Sequence, residues 1–89
     1  MAWKIEYAGS AKRELAKLDK PTARRIVNYM DKQVKRLDDP RSIGKPLTGA
    51  LGTYWRYRVG DYRVICNIKD GEITVLVLRV GHRREVYER

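Results

Sequence analysis

Trp3, Ile5 and Tyr7 alternate with Lys4 and Glu6. A period of two marks a strand with one buried face. After Gly9 the period lengthens. Ala11, Leu15 and Leu18 recur at helical spacing, and Ser10 is placed to cap a helix that begins at Ala11 and ends near Asp19. Pro21 suits the first turn of a second helix. Its apolar stripe is Ile26, Met30, Val34 and Leu37, and Asp38-Asp39-Pro40 stops it. Its polar face carries Arg24, Arg25, Lys32, Lys35 and Arg36, charges that keep a helix soluble and could also follow a polyanion. Residues 39–53, punctuated by Pro40, Gly44, Pro46, Gly49 and Gly52, read as a loop. Its length is unusual for a compact domain, and such loops are often functional.

Three strands follow, over 54–59, 62–68 and 72–80. Gly60-Asp61 and Asp70-Gly71 form two-residue hairpin turns between them. Gly81 ends the last strand, and 82–89 is a charged tail anchored by Val86 and Tyr87. The prediction is an α+β domain spanning 1–89 in the order β-α-α-β-β-β. It has an antiparallel sheet, a helical hairpin on one face and a short C-terminal tail.

Composition narrows the function. The 89 residues carry a net charge of +9 and a pI near 10.0, which points to a polyanionic partner. One cysteine excludes a disulfide framework and a Cys-rich metal site. Cys66 itself sits mid-strand with Val64 and Ile68 and reads as packed core. No apolar run approaches the roughly 18 residues of a membrane span, and the N-terminus lacks the apolar stretch of a signal peptide. A cytoplasmic protein without a cofactor is expected. Residues 1–53 hold seven Lys and five Arg, whereas 54–89 hold one Lys and seven Arg. Arginine grips phosphate in two places and stacks on bases. Interleaved with Tyr54, Trp55, Tyr57, Tyr62 and Tyr87, these arginines fit phosphate-plus-stacking recognition. A solvated sheet face with Trp3, Trp55 and Tyr57 in the core is the plainer alternative.

The first hairpin sharpens the choice. A turn at Gly60-Asp61 pairs Arg58 with Arg63, and directly opposite residues share a face about 5 Å apart at Cβ. Arg56, two positions from Arg58, lies on the same face. No Asp or Glu flanks them on either strand. Like charges placed opposite each other destabilise a sheet, so the cluster reads as a phosphate clamp. Splayed side chains or a shifted register would dissolve it. The second turn puts Ile65 opposite Leu76 and Arg63 opposite Leu78. That floors the arginine face with apolar groups, either to strengthen anion binding or to dock a partner segment. Arg79, on the opposite parity from Arg63, is a candidate for a structural ion pair.

Three runs resemble the RelE toxins of toxin–antitoxin modules, within the RelE/ParE superfamily. They are Lys45-Pro46-Leu47-Thr48-Gly49, the hairpin from Trp55-Arg56-Tyr57-Arg58 to Tyr62-Arg63-Val64, and Val80-Gly81-His82-Arg83-Arg84-Glu85-Val86-Tyr87. The resemblance spans essentially the whole chain. It implies an mRNA interferase, a metal-independent endoribonuclease that enters the 30S A site of the ribosome and cuts mRNA. There the ribose 2′-hydroxyl attacks the adjacent phosphate, leaving a 2′,3′-cyclic phosphate. It also implies a RelB-like antitoxin as partner, with operator DNA reached through the complex. On this resemblance Arg63 stabilises phosphate, Arg83 contacts phosphate and supports the leaving group, and Tyr87 stacks on a base and orients the nucleophile. Arg56 and Arg58 fall where well-known members carry lysines. Arginine does not give up its proton, so the general base is open. His82, the only imidazole, is one candidate, and catalysis chiefly by positioning is another reading. Tyr54, Lys45 and Arg84 are candidate RNA contacts. Two alternatives share this architecture: a ParE-like inhibitor of DNA gyrase that cuts no RNA, and a non-catalytic module that binds antitoxin or nucleic acid.

Overall fold

The computed structural model describes residues 2–47 and 54–82. Within them the chain runs β1 (Lys4–Tyr7), α1 (Gly9–Ala16), α2 (Lys20–Tyr29), β2 (Lys45–Leu47), β3 (Tyr54–Val59), β4 (Tyr62–Lys69) and β5 (Thr74–His82). The five strands form one sheet in the order β1-β5-β4-β3-β2. Pairing is antiparallel except that β1 runs parallel to β5. The expected all-antiparallel sheet is thus a mixed one. A parallel neighbour needs a long crossover, and the helices together with the β2–β4 excursion supply it.

β2 falls where a loop is predicted. It is three residues long with a proline at its centre, which an edge strand tolerates because the missing N–H can face outward. Asp19 caps α2, accepting from the Thr22 N–H at 3.2 Å and the Thr22 hydroxyl at 2.8 Å. A π-helical turn over Met30–Val34 prolongs the helix and keeps both Met30 and Val34 fully buried. Ile26, Met30, Val34 and Ala11 pack on Tyr57, Val59, Val64, Cys66, Val75, Val77 and Val80, one face of the sheet. Trp3 and Tyr57 join this core as expected, and Trp55 packs at its margin. Cys66 is fully buried, and desolvation pushes its thiol well above the usual range.

The hairpin at Gly60-Asp61 forms as predicted, pairing Arg58 with Arg63 and Val59 with Tyr62. Gly60 sits at φ 61°, a conformation that favours glycine. The second connection differs. It is a 3-10 turn over Asp70–Glu72 followed by Ile73 at φ 49°, and Lys69 pairs with Thr74. A further register shift lies between Ile65 and Cys66. Ile65 therefore faces Arg79, and Arg63 faces Gly81, in place of Leu76 and Leu78. The shift brings Arg79 onto the Arg63 face, and the strand continues through Gly81 to His82.

α1 begins at Gly9, earlier than predicted, so Ser10 lies inside the helix and the N-cap is Ala8, whose methyl offers no acceptor. Where β1 ends, α1 takes over the edge of β5. The Ala8 N–H donates to the Val77 carbonyl at 2.9 Å and the Ser10 hydroxyl to the Leu78 carbonyl at 2.6 Å. Glu14 accepts from the Val80 N–H at 2.8 Å and from the Arg79 guanidinium at 3.0–3.2 Å. Arg79 is thus the expected structural ion-pair member, although it lies on the Arg63 face and not on the opposite one. Glu14→Ala leaves a strand N–H and a guanidinium without this acceptor, and should cost about 2 kcal/mol of folding free energy. A denaturant titration with an unchanged m-value would measure it; a loss below about 0.5 kcal/mol would mean that the clamp contributes little.

Candidate functional site

Register places the basic side chains. β2 pairs Lys45 with Arg56, and β3 pairs Arg58 with Arg63 of β4. Paired residues share a face, and Arg56 and Arg58 share theirs by the strand period. Lys45, Arg56, Arg58 and Arg63 are among the residues that line one cavity of about 260 Å³, which Tyr57 borders from the core side. No Asp or Glu is among the described residues that line it. Arg58 is exposed, Arg56 half-buried, and Arg63 only 7% exposed. Arg63 faces Gly81 on its other side, which adds no side chain to crowd it. The cluster read from the hairpin thus forms, and the fold adds Lys45 to it.

The rest of the wall is aromatic and fixed. Tyr29 of α2 and Tyr57 of β3 complete the cavity with Gly44, their ring centroids 6.2 Å apart. The Tyr57 hydroxyl donates to the Pro40 carbonyl at 2.6 Å, and burial raises the pKa of both tyrosines. Each therefore keeps its proton across the physiological range. Trp55 donates its indole N–H to the Ile43 carbonyl at 2.7 Å, and Trp3 donates to the Asp38 carbonyl at 3.2 Å. Arg41 holds Asp70 through two 2.9 Å bonds, which keeps that carboxyl below its ordinary range. The segment that delivers Lys45 is therefore tied down along its length. Gly44 lies flat on β3 at φ 81°; a Cβ there would stand 2.4 Å from the Arg56 carbonyl oxygen and 2.7 Å from the Trp55 indole nitrogen.

The other sequence candidates divide. Tyr54 shares the parity of Arg56 on β3 and pairs with Leu47, outside the cavity lining. His82 pairs with Tyr62 and meets its ring edge-on at 5.7 Å. Tyr62 packs on the core face, so His82 lies on the side of the sheet opposite Arg63, and it does not line the cavity. Arg83, Arg84 and Tyr87 lie outside the described residues. No group of three or more potential metal ligands occurs among the described residues, and no helix there is long and apolar enough to cross a membrane.

The basic face of α2, expected mainly to keep the helix soluble, adjoins the site. Arg24, Arg25 and Lys32 of the α2 segment line a wider groove of about 670 Å³ together with Gly60. Tyr29 and Arg58 border both spaces. Arg25 packs over the β3–β4 turn, its Nη1 3.1 Å from where a Gly60 Cβ would lie. The basic surface thus runs from the cavity across the turn and onto the helix.

Comparison with known proteins sets this geometry in context. The sequence model of a family described as "ParE toxin of type II toxin-antitoxin system, parDE" matches residues 5–87. Toxin RelG of Mycobacterium tuberculosis is 33% identical over 89 residues, the whole of both chains. Toxin RelE of the same organism is 30% identical over 83 residues, 93% of this chain and 84% of the relative. The crystal structure of the M. tuberculosis toxin–antitoxin complex RelBE2 contains a chain that superposes with a TM-score of 0.84 at 31% identity, covering 93% of each chain.

Proposed function

The chain belongs to the RelE/ParE superfamily of toxins of type II toxin–antitoxin modules, and from that premise we propose that it is a ribosome-dependent mRNA endoribonuclease. The observation that carries this reading is the cavity in which Lys45, Arg56, Arg58 and Arg63 meet with no carboxylate among its described lining residues. Four cations at one small site suit one phosphodiester and the extra negative charge it gains when a fifth oxygen binds phosphorus. The 2′-oxygen attacks, the bond to the 5′-oxygen breaks, and a 2′,3′-cyclic phosphate and a 5′-hydroxyl result. A space of about 260 Å³ admits a linkage and part of a nucleotide, so the substrate must arrive as an extended single strand. A ribosome presents mRNA in that form in its A site. The groove over α2 gives the protein a surface for ribosomal RNA. In this scheme Arg63 stabilises the phosphorane, Arg56 and Arg58 hold the strand, and Arg83 and Tyr87 support the leaving group and stack on a base. Charge stabilisation by guanidinium takes the place of a metal ion. The partner is an antitoxin of the kind that RelBE2 carries, and operator DNA is reached through that complex.

Primer extension on mRNA from a translating extract tests the proposal. Purified protein should add cuts with 2′,3′-cyclic ends inside codons being translated, and none on the same RNA without ribosomes. The family model's description as a ParE toxin keeps one rival in view, inhibition of DNA gyrase. Intact mRNA together with blocked supercoiling would replace the present reading with that one.

A further inference from the structure

The cavity and the α2 groove meet at one place. β2 pairs with β3 only as far as Arg56, so among the described residues no strand neighbours that edge of β3 from Tyr57 to Val59. Tyr29 and Arg58 border both spaces there. At this junction two guanidiniums converge on Gly60 from different elements. Arg58 of β3 donates from Nε to the Gly60 carbonyl at 3.2 Å. Arg25 of α2 lies broadside to the same glycine, its Nη1, Cζ and Nη2 at 3.1–3.5 Å from where a Cβ would stand. Both arginines are exposed, and neither forms an ion pair with a described carboxylate. No Asp or Glu is among the described residues that line either space. Two cations set this close repel each other, and an anion gripped by both forks relieves the repulsion. Arg58 is also the partner of Arg63, so this second pair of forks begins where the cavity ends.

Resting on the endoribonuclease reading, we infer that Arg25 and Arg58 form a second phosphate subsite, which holds the linkage next to the scissile one as mRNA passes from the cavity onto the α2 groove. A strand gripped at two consecutive phosphates can neither slide nor turn about the reacting one, which fixes the 2′-oxygen in line for attack. Arg25 touches none of the reacting atoms and is a positioning residue. Arg24 and Lys32, further along the groove, remain for ribosomal RNA.

The test uses programmed ribosomes whose mRNA carries an uncharged methylphosphonate at the linkage before or after the scissile one. The 2′-hydroxyl beside that linkage is methylated, and the reference RNA has the same methylation with a normal phosphate. In single-turnover cleavage, the methylphosphonate at one of the two positions should slow the wild-type protein about tenfold, the size of one charge-assisted contact. Arg25→Gln should be about tenfold slower on the reference RNA and lose less than about threefold more when that same phosphate is neutralised, because the two changes remove one interaction. Lys12→Gln loses the same charge on α1, outside both spaces, and should cut within about twofold of wild type. The inference is overturned if Arg25→Gln slows all the RNAs by one common factor, which would place Arg25 on ribosomal RNA. It is also overturned if Lys12→Gln loses as much as Arg25→Gln, or if Arg25→Gln cuts the reference RNA as fast as wild type. Failure of the wild-type protein to cut even the reference RNA would instead remove the endoribonuclease reading, and the subsite with it. Thermal melts of Arg25→Gln, expected to match wild type at this exposed position, separate positioning from folding.

Discussion

Arg63→Gln should lower the rate of ribosome-dependent mRNA cleavage about a thousandfold, close to 4 kcal/mol of transition-state stabilisation. The size follows from placement. Arg63 is 7% exposed and sits between Arg58 on one neighbouring strand and a glycine on the other. A charge in a water-poor position acts on developing negative charge far more strongly than an exposed one, and a strand fixes its geometry before the substrate arrives. Glutamine keeps some hydrogen-bonding character but is shorter and loses the charge and the fork. Arg63→Lys should recover little, because a point charge does not grip two phosphate oxygens at once. The exposed Arg58 should matter less, by about tenfold on the same scale. Single-turnover cleavage of an A-site codon measures all three. If Arg63→Gln cuts within about threefold of wild type, a change of under 1 kcal/mol, Arg63 is not the phosphorane-stabilising group.

Much of this site was legible because the residues that build it are close in sequence. A two-residue turn at Gly60-Asp61 sets the register of β3 on β4 by itself, and from register and parity the meeting of Arg56, Arg58 and Arg63 follows. Lys45 enters by a pairing that no local pattern announces. β2 is three residues with a proline inside and glycine beside it, features that sequence reading rightly treats as loop punctuation. Only the tertiary partner on β3 makes it a strand. The β4–β5 register misled for a related reason. Gly71 looked like the residue that would turn the chain, yet it is Ile73, a β-branched residue, that takes the left-handed conformation. Propensity argues against such a choice, so the extra turn residues and the shift near Ile65 were invisible. The consequences were local: Arg79 changed face, Gly81 came to lie beside Arg63, and His82 went to the Tyr62 side. Ser10 reads as a helix cap, but the helix starts at Gly9 with Ala8 as its N-cap, which leaves the Ser10 hydroxyl inside the helix to donate to the Leu78 carbonyl.

Gly44 is the position on which the reach of Lys45 into the site depends, and Gly44→Ala should destabilise the fold by about 4 kcal/mol. Two costs add. An alanine at φ 81° is strained by about 1–2 kcal/mol. Its Cβ would also stand 2.4 Å from the Arg56 carbonyl oxygen, a backbone atom inside the sheet that cannot swing aside. Relieving the clash means lifting β2 from β3, at an overpacking cost of about 1–3 kcal/mol. Since a small domain has on the order of 5–15 kcal/mol in all, the variant should unfold at markedly lower denaturant. Cleavage should fall further than the folded fraction explains, because the lifted strand carries Lys45 away from Arg56. Gly71→Ala is the internal control. Nothing lies within 4 Å of a Cβ at that position and its φ is not positive, so its stability should stay within about 0.5 kcal/mol of wild type. Equal stability of the two variants in urea would mean that β2 yields freely and that Lys45 is not held in place by the glycine before it.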